Sequence, residues 1–134
     1  MITYTTGTSS IRAGQLDGFF DGWEDPPSAN THLKILLSSS HVVIARDNNE
    51  IVGFANAISD GVLAACIPLC EVRREWRGHG IGSELITRLL EQLADYYMID
   101  LVCDPETLGF YKRLGFQPGS AAGMRNYARQ TGRR

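Results

Sequence analysis

The segment from Arg77 to Gly82 reads Arg-Gly-His-Gly-Ile-Gly, and it constrains the fold more than any other stretch of the chain. It follows an apolar run, Ile67-Pro68-Leu69-Cys70-Glu71-Val72, and opens a segment with apolar residues at Ile81, Leu85, Ile86, Leu89, Leu90 and Leu93. The first pattern is that of a strand and the second that of an amphipathic helix, predicted over Gly80 to Tyr97. A glycine turn between them lets a ligand approach the backbone. The free N–H groups of the first helical turn, with the helix dipole, favour an anion there.

Strands and helices alternate around that turn. Met1 to Thr6 is rich in Thr, Ile and Tyr and is predicted as an edge strand. Ser9 or Ser10 is placed to cap a helix running through Phe20, with Ile11, Leu16, Phe19 and Phe20 as its apolar face. Gly22 to Pro27 breaks it, and Ser28 caps a second helix with Leu33, Ile35, Leu36 and Leu37 inside. His41 to Arg46 and Ile51 to Ile58 form a hairpin across Asp47-Asn48-Asn49-Glu50.

A tight turn at Asp60-Gly61 leads to a strand from Val62 to Val72. Pro68 cannot donate a ladder hydrogen bond, so it predicts a bulge or a point where pairing stops. Ile99 to Cys103 is a short strand, and a helix follows Pro105 through Leu114, with Gly115 as its stop. Phe116-Gln117 and Met124 to Ala128 are predicted as the last strands. The expected order is β-α-α-β-β-β-α-β-α-β-β.

A chain of 134 residues reads as one domain spanning 1–134 with a core of its own. Its net charge of −2 argues against a nucleic-acid or membrane partner, and no apolar stretch is long enough to span a bilayer. The basic tail, Arg125, Arg129, Arg133 and Arg134, reads as a solvated terminus. Cys66, Cys70 and Cys103 lack metal-finger spacing and read as small core residues. The start of the chain has no signal-peptide pattern, and a cytoplasmic location is expected.

Three ligands compete for the glycine turn. A dinucleotide site wants its glycines after the first strand and a third glycine at a spacing absent from Gly78-His79-Gly80-Ile81-Gly82. A phosphate loop wants Gly-Lys-Ser/Thr, and no lysine lies between Lys34 and Lys112. The third is a coenzyme A pyrophosphate site.

Two motifs together resemble the GCN5-related N-acetyltransferase (GNAT) superfamily. Arg77-Gly78-His79-Gly80-Ile81-Gly82 matches its Arg/Gln-x-x-Gly-x-Gly/Ala signature, and Phe110-Tyr111-Lys112-Arg113-Leu114-Gly115-Phe116 matches its Phe-Tyr-x-x-x-Gly-Phe helix end. The resemblance is best from Val72 to Phe116 and follows the family only in outline over the first forty residues or so.

That resemblance implies an α/β (α+β) fold with about four helices. Its central sheet would be mixed, mostly antiparallel, and splayed to admit acetyl-CoA. The backbone of Arg77, Gly78, His79, Gly80, Ile81, Gly82 and Ser83 would bind the pyrophosphate, leaving side chains 78, 79 and 81 free to vary. Leu69, Cys70, Glu71 and Val72 would meet the pantetheine arm, with Pro68 at the splay. Tyr111 would be the general acid, protonating the departing thiolate. Asp104 stands where many members carry a cofactor-contacting Asn, or else caps the next helix.

Glu71 is the first candidate for general base, with Asp60 and His79 behind it; the alternative is an ion pair from Glu71 to Arg73, Arg74 or Arg77. An acceptor amine would be walled by Phe19 to Pro27, with Trp23 and Asp60 as contacts, and by Gly119 to Tyr127. The implied activity is acetyl transfer from acetyl-CoA to a small primary amine, with no metal, and a homodimer is an assembly that the resemblance allows. A non-catalytic acetyl-CoA sensor and a protein or peptide acetyltransferase stand as alternatives. Cys70 as an acylated nucleophile is a further option.

Overall fold

The computed structural model describes residues 1–133. The sheet has five strands in chain order: β1 (Ile2–Thr6), β2 (His41–Asp47), β3 (Glu50–Ser59), β4 (Ala64–Val72) and β5 (Met98–Asp100). The first three junctions are antiparallel, and only β4–β5 is parallel. The helices are α1 (Ala29–Ser38), α2 (Ile81–Gln92) and α3 (Leu108–Arg113).

Alternation along the strands separates two cores. Val43, Ala45, Ala55 and Ala57 face α2, where Ile81, Leu85, Ile86 and Leu89 close the layer. Val42, Ile44, Ile51 and Phe54 face the other side, under Leu16, Phe19, Phe20 and Leu36. The β2–β3 register slips between Ala45 and Arg46, leaving Val52 as an extra residue. Beside that bulge, Gly53 has no room for a side chain: a Cβ would stand 3.1 Å from Leu85 Cδ1 and 3.1 Å from the Glu71 carbonyl. Gly53→Ala is therefore expected to cost about 1–3 kcal/mol by overpacking. An unchanged urea midpoint would refute this.

Pro68 marks the decisive irregularity. Asn56 pairs with Leu69, but Ile58 pairs with Cys66, so Ile67 and Pro68 bulge opposite Ala57. The parallel ladder to β5 ends at the same place, with Cys66↔Asp100 its last pair. Beyond it β4 and β5 separate. That is why β5 stops at Asp100 and does not run from Ile99 to Cys103 as expected: the next partner on β4 would be the bulged, N–H-deficient segment.

Other expectations need correction. No α-helix runs from Ser9 or Ser10 to Phe20; only a 3-10 turn at Ala13–Leu16 forms. Ser10 has φ 66 and Gly18 has φ 86, and these left-handed residues bracket the turn. Leu16, Phe19 and Phe20 are buried all the same, with Leu16 2% and Phe20 4% exposed, and Ile11 is partly buried. This leaves three α-helices among the described residues where about four were expected.

Ser28 does cap α1, accepting from Thr31 N, but Leu37 is exposed and His32 occupies the buried face with Leu36. α2 ends at Gln92, short of Tyr97, because its apolar periodicity stops at Leu93 and the chain turns so that Met98 N donates to Leu63 O. β4 begins at Ala64, and Val62 and Cys66 are exposed. Phe116-Gln117 and Met124 to Ala128 form no strands, and a 3-10 turn stands at Tyr127–Arg129. Pro118, Gly119 and Gly123 interrupt that stretch. Arg129 and Arg133 are exposed, and Arg134 lies outside the described residues.

Candidate active site

The separation of β4 from β5 opens a cleft of about 540 Å³. Its floor is Ile67 to Glu71 of β4. One side is Val102, Cys103, Asp104 and Tyr111; the other is Phe20, Asp21 and Trp23, with Phe54 behind. Arg125, Tyr127 and Gln130 of the C-terminal segment cover it, so Arg125 is part of a wall and not only a solvated tail residue. Gln130 Oε1 accepts from Asp25 N at 2.7 Å, which ties that cover to the Trp23 side.

The glycine turn lies at the end of β4. Gly78 and Gly80 both have φ 81, and a Cβ at either position would meet open space. Their glycines are required by backbone conformation. Gly80 is the N-cap of α2 and supplies no side-chain bond, and the first intrahelical bond is Glu84 N to Gly80 O at 3.1 Å. The N–H groups of Ile81, Gly82 and Ser83 thus have no acceptor within the helix. Two expectations change here. Position 78 is not free to vary, because its φ is left-handed, and neither is position 81, because Ile81 is buried in the core. Gly82 packs on the second motif instead of standing clear: its Cβ would lie 3.5 Å from Phe110 Cζ.

Glu71 forms no ion pair among the described residues. Its Oε1 accepts from Phe20 N at 2.8 Å and its Oε2 from Asp21 N at 3.1 Å. Each oxygen keeps a further lone pair for another donor. Arg74 and Arg77 turn instead to Asp21, at 2.8 and 3.3 Å. Those hydrogen bonds, led by Arg74, hold the Asp21 carboxyl below its usual range.

Tyr111 reaches the cleft from α3, its ring edge-on to Phe110 and Phe116 at 4.9 and 5.6 Å. Burial, with the Cys70 and Cys103 thiols adding, pushes its phenol well above the ordinary value of 10.0. It therefore holds its proton until one is demanded. Cys70 is pushed up to about 12, mainly by burial and then by Glu71. A thiol that stays protonated is a poor nucleophile.

Asp104 lines the cleft, but its side chain makes no cap; its carbonyl accepts from Thr107 N and Oγ1. His79 is exposed at the glycine turn, with Nδ1 against the Trp76 and Arg77 carbonyls. Asp60 is not brought to the cleft at all. It sits at the β3–β4 hairpin tip, where Oδ1 accepts from Val62, Leu63 and Ala64 N–H groups, and these bonds hold its carboxyl low. Trp23 is in the wall, 41% exposed, its ring 4.8 Å from that of Phe20.

Asp21 stands in the expected Phe19 to Pro27 wall but as the partner of Arg74 and Arg77, and Arg73 bonds backbone carbonyls and not Glu71. The positive φ of Phe20, 67, had no signal in the sequence.

The acetyltransferase (GNAT) domain family matches residues 38–118. The chain belongs to the GNAT family. It is therefore an acetyltransferase. A crystal structure of a Deinococcus radiodurans R1 protein classed as an acetyltransferase superposes with TM-score 0.94 at 44% identity, covering 97% of this chain and 92% of that one. An uncharacterised N-acetyltransferase, ycf52, of Pyropia yezoensis is 33% identical over 94% of this chain and 78% of its own length. The chloroplastic serotonin N-acetyltransferase 2 of rice is 30% identical over 90% of this chain and 64% of its own. For this GNAT chain, no helix is long and apolar enough to cross a membrane, and no group of three or more metal-ligating side chains gathers, among the described residues.

Proposed function

We propose that this enzyme transfers acetyl from acetyl-CoA to a small primary amine by direct attack, residues 1–134 acting as one domain. The observation that carries the reading is that Glu71 and Tyr111 line the same cleft, beside a helix start with free N–H groups.

The residues fit the donor. The N–H groups of Ile81, Gly82 and Ser83 suit a diphosphate, and the unpaired edge of β4 from Leu69 to Val72 suits an extended amide chain. Acetyl-CoA supplies an acetyl thioester there. Glu71 takes the proton that makes the amine a nucleophile, and Tyr111 Oη provides the proton that the departing thiolate needs. Cys70 keeps its proton, which favours attack by the amine over an acylated cysteine.

The size of the cleft and its C-terminal cover favour a small molecule over a protein. Phe20, Trp23 and Phe54 beside a carboxylate favour an amine on an aromatic body, the acceptor class for which the rice relative is named. The three free cysteines fit a reducing compartment.

The test is thiol release across a panel of arylalkylamines, aliphatic amines and peptide N-termini, with wild type and Glu71→Gln. Turnover on small amines that falls about a hundredfold or more in Glu71→Gln supports both assignments. Turnover on peptides alone would move the acceptor class, and an unaffected Glu71→Gln would remove Glu71 as base. Gly80→Ala forces an L side chain to φ 81. That conformation costs an L residue about 1–2 kcal/mol, so the turn relaxes away from it, and coenzyme A binding by calorimetry should weaken. Wild-type affinity in this variant would exclude the turn from the donor site.

A further inference from the structure

The turn from Asp17 to Gly22 is left-handed at three positions and strained at one of them, Phe20. Gly18, Phe20 and Gly22 have φ of 86, 67 and 84, and Phe20 carries a large side chain in a region such residues avoid. Strain of this kind persists only where the surroundings impose it. Yet this turn presents the two N–H groups that hold both oxygens of Glu71, and it carries Phe20 into the cleft wall.

Two sets of contacts hold it. On the outer side Asp21 bonds Arg74, whose side chain is 76% exposed, so that pair is worth little. On the inner side stands Arg73. Its Nη1 donates to Asp17 O at 2.7 Å, its Nη2 to Gln15 O at 3.0 Å and its Nε to Ile51 O at 2.7 Å. The guanidinium lies 4.2 Å from the Phe19 ring centroid. Its own N–H donates to Val52 O at 2.8 Å, fixing the residue to the sheet. It has no carboxylate partner among the described residues and does not line the cleft. Gly18 is where the guanidinium needs clearance: a Cβ there would stand 3.2 Å from Nη1.

We infer that Arg73 is a positioning residue: it clamps the Gln15–Asp17 carbonyls to the sheet so that the Phe20 and Asp21 N–H groups keep the Glu71 carboxylate in the cleft. The catalytic consequence rests on the reading of Glu71 as base, but the clamp itself does not. One cation thereby fixes both the orientation of Glu71 and the aromatic wall over the acceptor.

The test is residue-resolved amide exchange in wild type, Arg73→Gln and Arg73→Lys, alongside steady-state kinetics and coenzyme A calorimetry. Arg73→Gln should speed exchange at Phe20 and Asp21 about tenfold or more while the β2–β3 ladder is unchanged. The amine kcat/KM should fall, the coenzyme A affinity should hold, and the kinetic loss should vanish in a Glu71→Gln background. Arg73→Lys keeps the charge without the planar fork, should give an intermediate result, and serves if Arg73→Gln does not fold.

Unchanged exchange at Phe20 and Asp21 overturns the clamp. So does exchange that rises equally through the β2–β3 ladder, which would mark a general structural role. An inactive-base result, Glu71→Gln at wild-type rate, removes the kinetic arm alone and leaves the exchange arm to judge Arg73.

Discussion

Tyr111→Phe should lower kcat by about 10²- to 10⁴-fold, the range that a positioned proton donor contributes. The substitution is clean by construction of the site. The ring packs edge-on between Phe110 and Phe116, and phenylalanine keeps both contacts. No hydrogen bond to the hydroxyl exists among the described residues, so its removal orphans no partner. Urea stability and coenzyme A affinity should be those of wild type, which confines the loss to the chemical step. The raised phenol pKa adds a second expectation: in wild type, any alkaline fall in kcat below pH 10 belongs to a group other than Tyr111. Full activity in Tyr111→Phe would end the assignment.

The second large effect is on stability, and it concerns a residue outside the cleft. His32 is 1% exposed among Phe19, Phe20 and Phe54, and neither ring nitrogen has a partner. Burial first, and Arg73 second, lower its pKa from 6.5 to about 4. The native state therefore keeps the ring neutral, while the unfolded chain takes up a proton as the pH drops below 6.5. Stability contributed by this difference is fully present above 6.5 and is lost as the pH falls toward 4. The loss amounts to about 2 kcal/mol at pH 5 and about 3 kcal/mol once both states are protonated.

His32→Leu has similar volume and no polar atoms. It should be equal to or more stable than wild type at pH 7.5, with an advantage that grows by about 2 kcal/mol at pH 5. Asp21 and Asp60 lose their own contributions lower, in the carboxylate range, because their pKa values are depressed from 3.8. Urea titrations of both proteins at the two pH values decide the matter. A stability difference between the two proteins that stays constant from pH 7.5 to 5 would refute it.

The parts of this molecule most legible in its sequence are those where one residue type has one physical use. Pro68 lacks a donor, and the ladder breaks beside it. Gly80 is a motif glycine of the Arg-x-x-Gly-x-Gly turn, and it is left-handed. Ser28 precedes α1 and caps it, and Gly115 ends α3 with φ 102. The illegible parts depend on distant contacts. Ile11, Leu16, Phe19 and Phe20 have helical spacing, but burial of those rings against Phe54 is satisfied by an irregular turn. Nothing local announces that Arg73 holds this turn, since its three acceptors are carbonyls that any sequence supplies. Asp60, expected behind Glu71 as a base and as an acceptor contact, instead accepts three N–H groups at a hairpin tip, in the turn that Asp60-Gly61 predicts. The C-terminal strands failed because pairing needs a neighbour, and the sequence does not say where β5 stops.

The bulge at Ile67 and Pro68 has a consequence for binding kinetics. A slot held open by a missing N–H and a slipped register exists before any ligand arrives, so no strands need to be pried apart on entry. Association should then be a single phase, its observed rate linear in coenzyme A concentration with no plateau from a slow opening step. Little ordering cost should accompany it, and differences in affinity among donor analogues should appear as differences in residence time.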